Sequence, residues 1–221
     1  MSPSEVLVDC RDAARTFGRG AAAVVAVHGA TCAIRAGARI AITGPSGSGK
    51  STLLHLMAGL EQPTSGEVRR PALGSSREIG LVFQGPSLIP ALNVAENTAL
   101  PLVLAGMSER RADDIARAAL GRVDAADLAD RLPEELSGGQ GQRVAIARVL
   151  AFAPRLILAD EPTGQLDRAT GRHIVDVLLA AADETGAALV VTTHDPAVAE
   201  RLATRRVMHE GRLLSTPEEE S

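Results

Sequence analysis

Apolar and polar positions fall into two rhythms along this chain. Short, nearly continuous apolar runs predict strands at Val6-Leu7-Val8, Val24 to Val27, Ala38 to Thr43, Ile79 to Phe83, Leu156 to Ala159 and Leu189 to Val191. Elsewhere apolar residues recur every three or four positions. Leu53, Leu56, Met57 and Leu60 share one helical face, as do Ala112, Ile115, Ala116, Ala119 and Leu120, with Ser108 as the cap. Ile174, Val177, Leu178 and Ala181 define a third stripe. Asp195-Pro196 has the form of an N-cap followed by proline at the first helical position. The last elements predicted are Val207-Met208-His209, a Glu210-Gly211 turn and Leu213-Leu214. Strands alternating with helices, on both sides of a helical middle, imply an α/β fold with a largely parallel sheet and an inserted helical region.

One strand leads directly into a glycine loop. Gly44-Pro45-Ser46-Gly47-Ser48-Gly49-Lys50-Ser51 fits the phosphate-cradling pattern G-x-x-x-x-G-K-[ST], and the predicted helix begins at its end. Glycines there let successive N–H groups point into one concavity, and the helix N-terminus favours an anion. Lys50 is expected on the β- and γ-phosphates of a nucleotide, and the Ser51 hydroxyl in the shell of a Mg²⁺ ion. Thr52 completes the expected phosphate-binding stretch. The alternative, a Gly/Ser-rich surface turn, does not account for the order strand, loop, helix.

Bulk properties narrow the partners. The chain has 221 residues, a net charge of −4 and only 1% aromatic residues, with no Trp or Tyr. It therefore lacks both the basic footprint and the stacking platforms of a nucleic-acid binder. Cys10 and Cys32 are the only cysteines and are expected to be reduced thiols rather than a disulfide framework. No secretory leader is expected, and no apolar run reaches bilayer-spanning length; Thr98 to Met107 is too short and contains Pro101. The acidic tail Glu218-Glu219-Glu220 is expected to be solvated.

Two further segments bear chemistry. Asp160-Glu161 ends an apolar strand, and ligands of parallel sheets gather beyond the carboxyl ends of their strands. Asp160 suits a Mg²⁺ shell and Glu161 a general base, although a plain strand-ending turn has the same composition. In Leu136-Ser137-Gly138-Gly139-Gln140, Ser137 and Gln140 form a capping box for the next helix. Two adjacent glycines cost entropy at a helix entrance, and they make sense if a second anion approaches the backbone there.

The glycine loop, Gln84, the L-S-G-G-Q segment, the Asp160-Glu161 pair and His194 occur in an order that resembles the ATP-binding cassette (ABC) ATPases. The resemblance runs from Phe17 to about Leu214. It implies a P-loop core with an added antiparallel β part, assigned to 1–83 and 155–221, and an inserted α-helical sub-domain at 84–154. It further implies that two copies dimerise head to tail around two ATP molecules. Ser137, Gly138, Gly139 and Gln140 of one copy would then contact the γ-phosphate held by the other. By the same resemblance Gln84 senses Mg²⁺ and the attacking water, and His194 contacts the γ-phosphate and orients Glu161. Asp167 lies in the loop linking the two sites, and Phe17 stacks on adenine unless it is a core residue. His28, His55, His173 and His209 lack such placement.

Departures from the family pattern are few. Phe17 replaces a tyrosine, Gly141 a glutamine and Gln165 an asparagine or alanine, and the stretch between Gly66 and Ile79 is short. A glycine at 141 is expected to weaken the first helical turn by ~0.5–1 kcal/mol relative to alanine. Asn93-Val94-Ala95-Glu96-Asn97 followed by Leu100-Pro101-Leu102 resembles ATPases of the lipoprotein-release and macrolide-export group. The expected role is the cytoplasmic ATPase, peripheral on the inner face of the membrane, of an integral membrane permease. Alternatives are a soluble cassette ATPase acting on DNA or ribosomes, and a regulatory module without turnover. The first lacks its usual coiled-coil insertion or second cassette here, and the second is opposed by Glu161 and His194.

Overall fold

The computed structural model describes residues 5–214, so the acidic tail lies outside the described residues. In chain order the elements are β1 (Val6–Phe17), β2 (Val24–Arg35), β3 (Arg39–Thr43), α1 (Lys50–Ala58), β4 (Ser65–Arg69) and β5 (Ile79–Val82). Three helices follow: α2 (Val94–Leu104), α3 (Glu109–Arg122) and α4 (Gly138–Phe152). The chain then continues through β6 (Leu156–Asp160), α5 (Arg168–Thr185), β7 (Ala188–Thr193), α6 (Pro196–Ala199), β8 (Thr204–His209) and β9 (Arg212–Leu214).

The central sheet has the order β5-β6-β7-β3-β8-β9, parallel except for the last strand. Its strands are apolar on both faces because both faces are covered. Alternation sorts them into two cores. Ile40, Ile42, Leu156, Leu158, Ala188 and Val190 pack with Leu53, Leu54, Leu56 and Met57 of α1 and with β1 and β2. Ala41, Ile157, Ala159, Leu189 and Val191 face the other way, onto Ile174, Val177 and Leu178 of α5 and Val144 and Ile146 of α4. A smaller cluster of Ala99, Leu102, Ala112 and Ala116 ties α2 to α3.

A second, antiparallel sheet, β2-β1-β4, closes over α1. Its strands are longer than the apolar cores that predict them, since one face is solvated and carries polar residues. The strand β4 has no apolar alternation, and only Val68 is even half-buried, which is why the Ser65–Arg69 segment is silent in the sequence. Cys10 and Cys32 face each other across β1 and β2 as buried thiols.

Two helix details differ from expectation. The stripe in α1 stops before Leu60: Gly59 adopts φ 80° and ends the helix, and Leu60 is 60% exposed. Arg70 reinforces that end, donating Nε–H to the Met57 carbonyl at 2.7 Å. Ser108 occupies the N-cap of α3 without a side-chain hydrogen bond, whereas Asn93 and Glu96 form a reciprocal capping box on α2.

Leu158 sits fully buried between the central sheet and α1. Replacing it with alanine is expected to cost about 2–5 kcal/mol through lost burial and a residual cavity. Urea denaturation should show the loss as a lower midpoint at unchanged slope.

Candidate nucleotide site

The turn out of β3 is shaped by contact with β2. Gly49 has φ 98°, and a Cβ there would lie 2.1 Å from the Ala26 carbonyl oxygen, so only glycine fits. The loop enters α1 with Lys50 as its first residue and 6% exposed. The Lys50 ammonium donates to the carbonyls of Gly44 at 2.9 Å and Pro45 at 3.0 Å. Among the described residues, Ser48 Oγ is buried without a hydrogen-bond partner, an unusual condition that an anion in the loop would relieve. Pro45, Ser46 and Gly47 are exposed at the mouth, and Ser51 and Thr52 lie half-buried in the first helical turn.

Parallel pairing brings the acidic residues to the same edge. Thr43 ends β3 opposite Thr193, and Asp160 ends β6 opposite Thr192. Asp160 is 4% exposed, and its Oδ1 accepts from Thr192 Oγ1 at 2.6 Å. Glu161 has φ 46°, a left-handed conformation that a residue with a side chain adopts at a cost. Its carboxylate bridges two partners: Oε2 lies 2.7 Å from His194 Nδ1, and Oε1 lies 3.6 Å from Lys50 Nζ. His194 follows β7 on a turn held by Thr193 Oγ1, which accepts from the Asp195 N–H at 3.0 Å. Asp195 in turn caps α6 through Ala197 N–H, as its sequence predicts.

Phe17 and Gln84 stand at the periphery. Phe17 ends β1 and is 39% exposed, so it is not a core residue. The Arg15 guanidinium carbon lies 4.6 Å over its ring, a cation–π contact that the sequence did not announce. Gln84 is exposed two residues beyond β5, at the same sheet edge as Asp160, and among the described residues its side chain makes no hydrogen bond.

Ser137 and Gln140 form the predicted capping box at the start of α4. Ser137 Oγ accepts from Gln140 N–H at 3.2 Å, and Ser137 N–H donates to Gln140 Oε1 at 2.8 Å. The paired glycines serve a close contact as well. A Cβ on Gly138 would meet Gln165 Oε1 at 3.1 Å, and one on Gly139 would meet Leu166 at 3.2 Å. The two segments wall a cleft of 440 Å³ with no glycine-loop residue in its lining. Gly141 admits Pro86, whose ring carbon would be 3.1 Å from an alanine Cβ, so the expected entropic cost accompanies a tertiary contact.

A strand that feeds a glycine loop into a helix N-terminus, one strand removed from an acidic pair, is the architecture of phosphate-loop ATPases, and this chain is one. Its relatives narrow the class. The ABC transporter family matches residues 27–164, and the chain belongs to that family. The lipoprotein-releasing system ATP-binding protein LolD of Legionella pneumophila is 40% identical over 225 residues, covering 96% of this chain and 99% of its own. An uncharacterized ABC transporter ATP-binding protein of Mycobacterium tuberculosis is 45% identical over 187 residues, with 79% and 75% covered. Among solved structures, the dimeric bacterial ABC transporter cassette MJ0796 superposes with a TM-score of 0.87 at 36% identity, covering 94% of this chain and 97% of its own. The same cassette is known as a dimer in a post-hydrolysis state bound to ADP and Pi. The chain is accordingly an ATP-binding and ATP-hydrolysing subunit of an ABC transporter complex. Among the described residues, no helix is long and apolar enough to cross a membrane.

Asp167 caps α5, accepting from Thr170 Oγ1 at 2.6 Å and from the N–H groups of Ala169 and Thr170. The Thr170 hydroxyl foremost, then those N–H groups, hold its carboxyl below the ordinary 3.8. A depressed carboxyl pKa stabilises the fold fully above the unfolded value and loses that contribution as pH falls through the folded one. The urea midpoint advantage of the native chain over Asp167→Ala should stay constant between neutral pH and pH 5. It should shrink once the pH drops below 3.8.

Proposed function

We propose that the Glu161 carboxylate is the general base of ATP hydrolysis and that this chain powers a membrane permease of the lipoprotein-releasing kind. What supports the base most directly is its position between His194 and Lys50, at the mouth of the glycine loop. Lys50 would turn from the loop carbonyls to the β- and γ-phosphates, and residues Gly44 to Thr52 would wrap them with N–H groups and hydroxyls. His194 holds Glu161 and would reach the γ-phosphate. Phe17, flanked by Arg15, presents an exposed ring at the loop end of β1 for adenine.

The donors suit Mg²⁺, a hard cation that takes oxygen ligands and keeps several waters. The Ser51 hydroxyl, the Asp160 carboxylate and the Gln84 amide oxygen would hold it. When bound, it supplies charge neutralisation on the phosphoryl oxygens.

The site is completed by a second copy. Ser137 to Gln140 open α4 on a cleft away from the glycine loop of their own chain, beside Asp167. In a head-to-tail dimer they would meet the γ-phosphate held by the partner, and Asp167 would couple the two sites. The dimeric cassette with 36% identity supports this arrangement. Residues 84–154 act in this reading as the helical sub-domain, and 1–83 with 155–221 as the core.

The permease surface follows from the edge of the central sheet. An apolar groove of 460 Å³ lies along β5, lined by Ile79, Leu81, Phe83, Leu104 and Phe152 together with Arg77 and Arg148. Leu104 is 70% exposed there. Together with the segment from Gln84 to about Asn97, it would receive a short cytoplasmic helix of a permease. The 40% identity to LolD over nearly the whole chain supports lipoprotein release, with the chain peripheral on the cytoplasmic face of the membrane.

Glu161→Gln is expected to lower the ATPase rate by roughly 10²–10⁴-fold while ATP still binds, and to accumulate an ATP-bound dimer on size exclusion. A monomer hydrolysing at the parental rate would remove Glu161 from the base role. Tagged chain expressed in its own host should co-sediment with membranes together with a permease, and Leu104→Glu should abolish that recovery without altering nucleotide affinity. Recovery with ribosomes or DNA instead would overturn the transporter partner proposed here.

A further inference from the structure

The hydroxyl of Thr192 occupies a position that the reaction described above leaves unused. Thr192 lies in β7, directly opposite Asp160, and is completely buried. Its Oγ1 donates to Asp160 Oδ1 at 2.6 Å, in the short range of a hydrogen bond to an ionised carboxylate. The same oxygen accepts from the Glu161 N–H at 3.1 Å. The Thr192 carbonyl shares that N–H, also at 3.1 Å.

These bonds fix a direction. A hydroxyl carries one proton and accepts through its lone pairs. With the Glu161 N–H pointed at the oxygen, the hydroxyl proton is left for Asp160. One side chain thereby restrains the carboxylate proposed for the metal and the strained peptide that carries the proposed base. Glu161 keeps its left-handed φ of 46° only because its surroundings over-determine it, and two of those restraints come from Thr192. The neighbouring Thr193 hydroxyl does a parallel service for the turn carrying His194.

We propose that Thr192 is a positioning residue for ATP hydrolysis: its hydroxyl engages Asp160 Oδ1, leaves Oδ2 to face the metal shell, and holds Glu161 in line behind it. The inference rests on the assignment of Asp160 to the Mg²⁺ shell. Partners standing behind a metal ligand typically change affinity or activity by roughly 10–100-fold when removed. Thr192→Val keeps the branched shape and deletes only the hydroxyl, and Thr192→Ser keeps the hydroxyl.

The test is fluorescent ATP-analogue binding, measured with Mg²⁺ and again with EDTA, for the native chain, Thr192→Val, Thr192→Ala, Thr192→Ser and Asp160→Asn. The ratio of the two affinities isolates the metal-dependent part, and unchanged binding in EDTA shows that a variant is folded. Thr192→Val and Thr192→Ala are expected to reduce the ratio about tenfold, with Thr192→Ser within about threefold of native. Steady-state ATPase assays should show a raised half-saturating Mg²⁺ concentration in the same two variants. A native ratio in Thr192→Val and Thr192→Ala, alongside a collapsed ratio in Asp160→Asn, overturns the role of Thr192 alone. A native ratio in Asp160→Asn overturns the metal assignment and this inference with it. Should Thr192→Val fail to fold, Thr192→Ala decides the question by the same two measurements.

Discussion

The parallel register of β6, β7 and β3 aligns Asp160 with Thr192 and Thr43 with Thr193, so three strand ends meet at one edge of the sheet. The groups proposed to handle the phosphates held by the chain's own glycine loop hang from that edge. The glycine loop leaves β3, the acidic pair leaves β6, and His194 leaves β7. A slip of one residue in any of these pairings would turn the chain-end side chains to the opposite face. The buried apolar alternation, with Leu156, Leu158, Val190 and Ile42 on one side and Ile157, Ala159, Val191 and Ala41 on the other, makes such a slip costly. Core packing and chemical geometry are therefore one constraint.

The edge also concentrates unfavourable features that the core sustains. Lys50 and Asp160 are nearly buried, Ser48 Oγ lacks a partner among the described residues, and Glu161 holds a left-handed backbone. Buried charges and hydroxyls of this kind cost free energy unless they are paired. Here Lys50 is paired with Glu161 and with the Gly44 and Pro45 carbonyls, Asp160 accepts from the Thr192 hydroxyl, and the Ser48 hydroxyl lies in the glycine loop.

The second half of the machinery is held differently. Ser137 and Gln140 complete each other's hydrogen bonds, Asp167 caps α5, and glycines at 138 and 139 let the two segments approach closely. Helix α4 meets the segment after β5 through Gly141 against Pro86 and through Gln142 Nε2, which donates to the Phe83 carbonyl at 3.0 Å. These contacts pack the start of α4 against the residues on either side of Gln84.

The sequence by itself determined the elements whose signal is local: the buried strands, the helices α1, α3 and α5 with their apolar stripes, and the glycine loop. It also determined the capping box at Ser137 and Gln140 and the cap at Asp195, because such hydrogen bonds span only a few residues. It did not yield β4, whose residues are polar on an exposed edge, nor the early end of α1 at Gly59. Only the tertiary structure decided which hydroxyl meets which carboxylate. Thr192 lies 32 residues from Asp160, so that contact leaves no periodic trace. Pattern records the burial of each position, but partners distant in sequence are chosen by strand register and close approach of backbones.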